Sequence, residues 1–338
     1  MINFGIIGTN SITRQFIAAA EKSGEWRLAA VYSRTAAKAE KFAADYHSDI
    51  ETSASLENFF ASQKYTTVYI ASPNSLHFQQ AKMAIEAGKN VIVEKPAASN
   101  PAEMKQLAEL LCQHPQVHFF EAARHTHEPN FKLVAETIKK LGPIQGANLT
   151  YEKYSSKMDN FLAGKVSNVF TLDFSGGALQ DLGVYLVYDA VCWFGRPQKA
   201  VYLAKKLATG VDGKGTAILD YGDFNVVLNI GKIDNAYLPG EIYGFKKTIE
   251  LKQNAADLQQ VSLIDEKGKR HVLANTSDTN PMSAEVVDFA AVINHPDSEH
   301  FQALEKEWFR RAQDVNQILY DLRQSAGIVF PADKKEEI

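Results

Sequence analysis

The stretch Gly5-Ile6-Ile7-Gly8-Thr9-Asn10-Ser11-Ile12-Thr13 decides the fold. An apolar run, Asn3–Ile7, enters a glycine turn, and a helical pattern, Ile12–Lys22, leaves it. Strand, turn and helix in that order aim the free amides of a helix N-terminus beyond the strand end, an arrangement suited to a pyrophosphate. The usual G-x-G-x-x-G/A turn has Asn10 at its second position and Thr13 at its third. Asn tolerates positive φ better than most residues, so the turn is expected to survive that glycine's loss. A side chain then stands where backbone ordinarily approaches the ligand. The alternative is a plain βα turn capped by Ser11 or Asn10. The strand before and the helix after favour a dinucleotide turn built from Gly8, Thr9, Asn10, Ser11 and Ile12.

Outward from this turn the same alternation continues. Strand-like runs Arg27–Tyr32, Thr67–Ala71, Asn90–Val93 and Val117–Phe120 are separated by helical stretches Thr35–Tyr46, Leu76–Ala87 and Pro101–Gln113. Apolar strands spaced by helices predict βαβ units and a parallel sheet covered on both faces. After residue 122 the pattern changes. Helices Phe131–Lys140 and Ala178–Phe194 are followed by closely spaced strand candidates from Ala200 to Leu273, then by helices Ser283–Ile293 and Phe301–Ser325. Short turns between consecutive strands imply antiparallel pairing. The predicted class is α/β: an N-terminal Rossmann doubly wound parallel sheet over 1–122, and an α+β domain with a large, mostly antiparallel open sheet over 123–338. The second domain is expected to carry substrate binding and oligomerisation.

Composition narrows the function. The 338 residues carry 36 basic and 40 acidic side chains, a formal charge of -4, which gives no basic footprint for nucleic acid. No apolar window is long enough to span a membrane, and the opening residues lack a signal-peptide pattern. Two cysteines, Cys112 and Cys192, suit a reduced cytoplasmic setting with both thiols buried. His125 with His127 and His114 with His118 lack the carboxylate or Cys pattern of a metal site, so no metal is expected.

Strand two ends in Tyr32-Ser33-Arg34, with no acidic residue for a ribose 2′-hydroxyl. Arg34 offers a planar cation to a phosphate instead, so Ser33 and Arg34 favour NADP over NAD, with NAD as the alternative. Two more turns leave the same sheet edge: Ala71-Ser72-Pro73-Asn74-Ser75-Leu76-His77, and Val93-Glu94-Lys95-Pro96. A lysine set between a carboxylate and a proline there is held close to the cofactor crevice.

With GIIGTNSI, ASPNSLH, AIEAGKNVIVEKP and GGALQDLGVY (176–185) in place, the chain resembles the Gfo/Idh/MocA family of glucose–fructose oxidoreductases and inositol dehydrogenases over nearly its whole length. The resemblance implies NAD(P)-dependent oxidation or reduction of sugars, polyols or cyclic diol-like alcohols. It assigns Lys95, Asp181 and Tyr185 to catalysis. The tyrosine at 185, rather than histidine, is similar to the dihydrodiol dehydrogenase branch. The resemblance also brings Ala71, Ser72, Pro73, Asn74, His77, Glu94, Lys95 and Arg124 to the cofactor, and implies a homodimer or homotetramer through the second sheet.

The residues have their own reading. Asp181, Tyr185 and Tyr188 fall at i, i+4 and i+7, one face of a straight helix, with Leu179, Leu182, Leu186, Ala190, Trp193 and Phe194 on the core side. Removing a hydroxyl proton near neutrality needs a phenol shifted well below its ordinary ~10, which a nearby ammonium such as Lys95 favours. Tyr185 is then the general acid/base, Lys95 polarises the substrate oxygen, and Asp181 orients the lysine or a substrate hydroxyl. Tyr154 is expected in the substrate pocket beside Lys95, Asp181 and Tyr185, between the domains. The plainer alternatives are a Lys95–Glu94 surface ion pair, a helix-start charge at Asp181 and a packing tyrosine at 185. The rival to a dehydrogenase is a non-catalytic dinucleotide sensor of the same fold.

Overall fold

The computed structural model describes residues 1–275 and 280–336. The chain forms two compact units: Met1–Ala122 with Met282–Arg310, and Ala123–Pro281 with Arg311–Ile338.

In the first unit, strands β1 (Ile2–Ile7), β2 (Trp26–Tyr32), β3 (Glu51–Ser53), β4 (Thr67–Ile70), β5 (Asn90–Glu94) and β6 (Phe119–Ala122) alternate with helices α1 (Ser11–Ser23), α2 (Ala36–Ala43), α3 (Leu56–Ala61), α4 (His77–Glu86) and α5 (Pro101–Gln113). The strands form one sheet in the order β3-β2-β1-β4-β5-β6, parallel throughout. Val68, Tyr69, Ile70, Val91, Ile92 and Val93 have no exposed surface, which explains why these strands read as continuous apolar runs. The strand order reverses between β1 and β4, so the turns after these two strands flank a crevice at the carboxyl edge. Helix α5 starts as its sequence dictates, with Pro101 in its first turn and the Asn100 side chain accepting from the Glu103 amide at 2.9 Å. β3 and α3 lie outside the expected pattern; three and six residues are too short to display a period.

The second unit opens with α6 (Pro129–Ile138), β7 (Gly146–Glu152) and α7 (Met158–Leu162), then a π-helical turn (Leu179–Gly183) that leads into α8 (Val184–Phe194). Strands β8 (Lys199–Lys206), β9 (Asp212–Asp220), β10 (Asn225–Gly231), β11 (Gly240–Tyr243), β12 (Thr248–Lys252), β13 (Gln260–Ile264) and β14 (Arg270–Asn275) follow. With β7 they make an eight-stranded sheet, β14-β13-β12-β11-β7-β10-β9-β8. Pairing is antiparallel except between β10 and β7, which run parallel because β7 enters long before its neighbours. One face packs on α8, which is apolar and buried nearly all round. The opposite face is open: Val201 pairs with Ile218 and Leu203 with Thr216, and Val201, Leu203 and Ile218 are all exposed.

Two expectations change. The helices α9 (Ser283–Asn294) and α10 (Glu299–Ser325) were read into 123–338, yet Met282–Arg310 packs with the first unit. Val286, Phe289 and Ala290 share one core with Phe4, Trp26 and Phe120; Phe289 stacks on Phe120 at 4.5 Å, and the Trp26 indole donates to the Val286 carbonyl at 2.8 Å. The thiols are not both buried: Cys112 is exposed and Cys192 half-buried, because Cys112 lies on the side of α5 away from Met104 and Leu107. Among the described residues no helix is long and apolar enough to cross a membrane.

Candidate active site

At the carboxyl edge of the first sheet, Gly8 takes the left-handed conformation (φ 110°), and a Cβ there would meet the Ala71 carbonyl oxygen at 2.5 Å. Only glycine lets β1 and β4 close on each other at this point. Asn10, contrary to the expectation of positive φ, is extended (φ -96°) and caps α1. Its Oδ1 accepts from the Thr13 amide and hydroxyl at 3.0 and 3.1 Å, and its Nδ2 donates to Ala71 O at 2.9 Å. The side chain is thus folded back into the turn. Thr9 is half-buried, and the Ser11 and Ile12 amides stand in the first turn of α1, where no intrahelical acceptor is available. The residues therefore fit a pyrophosphate: a tight glycine turn, helix-end amides and a side chain that does not cover them.

Three further turns frame this edge. Ser33 is buried behind β2, while Arg34 is exposed and makes no ion pair among the described residues. After β4, Ser72 donates to Gln80 at 2.7 Å, and Pro73 leads into a single 3₁₀ turn, Asn74–Leu76. His77 is buried, with Nδ1 2.9 Å from Pro96 O and Nε2 2.8 Å from Ser72 O. Burial lowers the affinity of this imidazole for a second proton. His77 thereby ties the Ser72 turn to the Glu94-Lys95-Pro96 turn. Glu94 accepts from the Tyr69 hydroxyl at 2.6 Å, Lys95 is half-exposed, and the Lys95–Pro96 peptide is cis.

In the second unit the Gly176-Gly177 pair is dictated by close approach. A Cβ on Gly176 would meet Val169 O at 2.6 Å, and one on Gly177 (φ 118°) would meet Asp212 Oδ1 at 2.1 Å. Asp212 anchors the helix start: its Oδ2 accepts from the Leu179 amide and the Tyr202 hydroxyl, each at 2.7 Å. Burial raises the Asp212 carboxyl above its ordinary range, opposed by those two hydrogen bonds.

The π turn that follows changes the expected geometry. Val184 N donates to Leu179 O, one residue further back than in an α-helix, so the straight-helix alignment of Asp181 with Tyr185 and Tyr188 does not hold. Tyr185 and Tyr188 both turn toward His125, with ring centroids at 4.9 and 6.0 Å. Asp181 ion-pairs with Lys232, a lysine 3 % exposed that follows β10 and lies 5.4 Å from the Phe170 ring centre. Nor is the tyrosine face solvated: Tyr185, Tyr188 and Asp189 are all buried.

Tyr185 stands among charges drawn from several elements. The Arg124 guanidinium is 5.5 Å from its ring centre and donates to Asp257 at 2.8 Å; Tyr151 of β7 lies 5.7 Å away. Burial raises the Tyr151 phenol, and Asp257 adds to the shift. Beneath them, His125 Nε2 lies 3.2 Å from Asp189, whose carboxyl is pushed well above its usual range by burial and then by Glu128. Tyr154 is engaged locally, its hydroxyl donating to Asp159 at 2.7 Å. The structure thus brings Arg124, Asp181 and Tyr185 into one unit, and Gly8–Ile12, Ser33, Arg34, Ala71–Asn74, His77, Glu94 and Lys95 into the other.

Sequence reasoning missed Lys232, Asp257, Asp189 and Asp212, and reached Tyr151 only as the start of a stretch, Tyr151–Phe161, expected to line the substrate pocket. Asp189 alone left a signal, an acidic residue inside the otherwise apolar Val184–Phe194 helix. The others sit in ordinary strand ends and loops.

Comparison with known proteins settles the family. A model of the GFO_IDH_MocA oxidoreductase family, NAD-binding Rossmann fold, matches residues 2–121. An uncharacterized oxidoreductase of Escherichia coli, YgjR, is 36 % identical over 334 residues, covering 98 % of this chain and 99 % of that protein. The chain belongs to the Gfo/Idh/MocA family. It is an NAD(P)-dependent oxidoreductase with the two-sheet architecture of that family. The scyllo-inositol 2-dehydrogenase (NADP(+)) IolU of Bacillus subtilis is likewise 36 % identical, over 99 % of this chain and 100 % of its own length. Among solved structures, the 3-ketoreductase KijD10 of Actinomadura kijaniata, in complex with NADP and TDP-benzene, superposes with a TM-score of 0.82 at 19 % identity, over 96 % of this chain and 97 % of that one. That likeness extends to the fold.

Proposed function

We propose that this oxidoreductase interconverts a secondary alcohol and its ketone on a neutral, polyhydroxylated ring of the inositol or sugar class, with NADP(H) as the preferred nucleotide. The observation that carries the substrate class is the charge balance around Tyr185. Asp257 is matched by Arg124 and Asp181 by Lys232, so both carboxylates have a cationic partner in place and present hydrogen-bonding groups suited to the hydroxyls of a neutral ring. Full-length similarity to an NADP(+)-dependent scyllo-inositol 2-dehydrogenase supports the same class.

The roles follow from chemistry. The Gly8–Ile12 turn holds the pyrophosphate, Arg34 meets the 2′-phosphate, and the turns at Ala71–Asn74 and Glu94–Lys95 hold the rest of the nucleotide, which supplies a hydride acceptor when bound. Lys95 polarises the substrate oxygen, Tyr185 takes the hydroxyl proton, and Asp181, held by Lys232, accepts from a neighbouring hydroxyl. Arg124 belongs to the tyrosine rather than the nucleotide. Tyr154 and Asp159 line the approach for the substrate. Homo-oligomerisation uses the open sheet face around Val201, Leu203 and Ile218; light scattering of Leu203→Lys against wild type tests it, with a smaller particle expected.

The deciding experiment is a panel of inositols, sugars and diols with NADP(+) and NAD(+), run beside Lys95→Ala, Tyr185→Phe and Arg34→Ala. Turnover of a polyol is expected, with kcat lowered ~10²–10⁴-fold in the first two variants. Arg34→Ala weakens NADPH ~10-fold or more and leaves NADH unchanged, the cost of one charge-assisted contact. Nucleotide binding with no turnover of any alcohol would return the sensor reading, and a wild-type rate in Lys95→Ala would end the mechanism.

A further inference from the structure

The ordinary phenol loses its proton near ~10, so a tyrosine that accepts protons near neutrality needs a cation facing it. The second unit supplies one from its own chain. Arg124 stands on the 3₁₀ turn Arg124–His127, is 9 % exposed, and places its guanidinium carbon 5.5 Å from the Tyr185 ring centre. Its Nη2 donates to Asp257 at 2.8 Å. Its buried Nη1 lies 3.5 Å from Glu128 but makes no directed hydrogen bond there. Asp257 is itself fixed, accepting from the Asn254 amide nitrogen at 3.1 Å while its own N–H donates to Asn254 Oδ1 at 2.9 Å.

We propose that Arg124 is the tuning cation of the Tyr185 phenol, and that Asp257 sets how much of its charge the phenol receives. This goes beyond the roles given above and rests on the reading of Tyr185 as the proton acceptor. In the oxidation direction the substrate O–H proton passes to the Tyr185 oxygen. The carbinol C–H leaves as hydride to the nicotinamide, so the alcohol is oxidised to the ketone as the nucleotide is reduced. The role assigned to Arg124 is to stabilise the phenolate that begins the step.

Other titratable groups stand around this phenol. His125 packs edge-on at 4.9 Å but turns Nε2 toward Asp189. Tyr151 faces it from β7 and Tyr188 flanks it from α8, both ordinarily neutral. Asp181 is matched by Lys232, and Glu128 lies 3.5 Å from Arg124 Nη1, a second carboxylate on the same guanidinium. Lys153 lies near Asp257 and helps hold it ionised. The protonation behaviour of the ion pair agrees: despite burial, Arg124 keeps the Asp257 carboxyl below its usual range.

The test is the acid limb of the kcat/KM–pH profile, measured with a polyol that the wild type oxidises. Arg124→Leu should move the limb ~1–3 units toward alkaline pH, Arg124→Lys by less. Asp257→Asn frees the guanidinium and should move the limb the opposite way, toward acid. NADPH affinity should stay within about twofold in all three, since none is assigned to the nucleotide. Opposite shifts from the two ends of one ion pair are something a purely structural pair cannot produce. A limb fixed in both Asp257→Asn and Arg124→Lys, or a loss of NADPH affinity in place of a shift, overturns the proposal; neither test needs Arg124→Leu to fold. Tyr185→Phe separates the two layers. Wild-type turnover in that variant ends the reading of Tyr185, whereas an inactive Tyr185→Phe beside unmoved limbs ends only the role of Arg124.

Discussion

The turn after β1 and the turn ahead of α8 both depend on glycine, yet they hold their side chains by different means. After β1, Gly8 lets two strands of one sheet meet, and the work is done by backbone: the carbonyl of Ala71, the first amides of α1, and Asn10 folded onto both. Ahead of α8, Gly177 makes room for a buried carboxylate, and the work is done by side chains from distant positions, Asp212 on Leu179, Lys232 on Asp181, and Asp257 on Arg124. A backbone cradle tolerates side-chain change. A network of buried charges does not, because removing one partner strands the other.

Substitutions can break or sharpen that contrast. The largest effect is expected from Gly177→Ala, which combines left-handed strain with a Cβ pressed on the Asp212 carboxylate. A loss of about 3 kcal/mol or more in denaturant unfolding follows from strain and overpacking together; a loss under about 1 kcal/mol would show that the Asp212 anchor yields easily. Next, Asn10→Ala should cost about 1 kcal/mol and Asn10→Gly only a few tenths, the signature of a helix cap, with nucleotide affinity retained in both. Loss of binding in Asn10→Gly would mean that the side chain itself holds the ligand. The last effect is opposite in sign. The Asp189 carboxyl is raised in the folded state, so its contribution to stability is complete below the unfolded value of ~3.9 and is lost as pH rises through the folded one. Asp189→Asn should therefore be more stable than wild type near neutrality, with the gain shrinking toward pH ~4. A gain that did not depend on pH would show that Asp189 is held charged by His125.

The same contrast explains what could be read from the sequence. Pro73 and Lys95-Pro96 act within a few residues of themselves, and Gly8 and Gly176-Gly177, although they serve distant partners, stand in turns of recognisable pattern, so each left a local signal. So did the parallel sheet, whose strands are apolar because both faces are covered. The π turn left none, since one extra residue per turn does not disturb an apolar helix pattern, and that is why Asp181 was aligned with Tyr185 too simply. Lys232 lies 51 positions from Asp181 and Asp257 133 from Arg124. No spacing rule joins residues brought together by strand order alone.

Arg124 illustrates what position alone leaves out. Its place after β6, at the edge of the nucleotide-binding sheet, pointed to the cofactor. Its contacts within its own unit are the Asp257 carboxylate and the Tyr185 ring.

The last feature is the segment Met282–Arg310, which supplies Val286, Phe289 and Ala290 to a core begun by Phe4 and Trp26. On the ribosome, the amino-terminal lobe is synthesised first but must wait for helices made near the end before it can close. A fragment ending at Ala122 would leave Phe120 and Trp26 uncovered and should behave as a sticky, partly ordered intermediate. Birth order and folding order are therefore uncoupled in this enzyme, and the nucleotide-binding lobe cannot be excised as one continuous cassette.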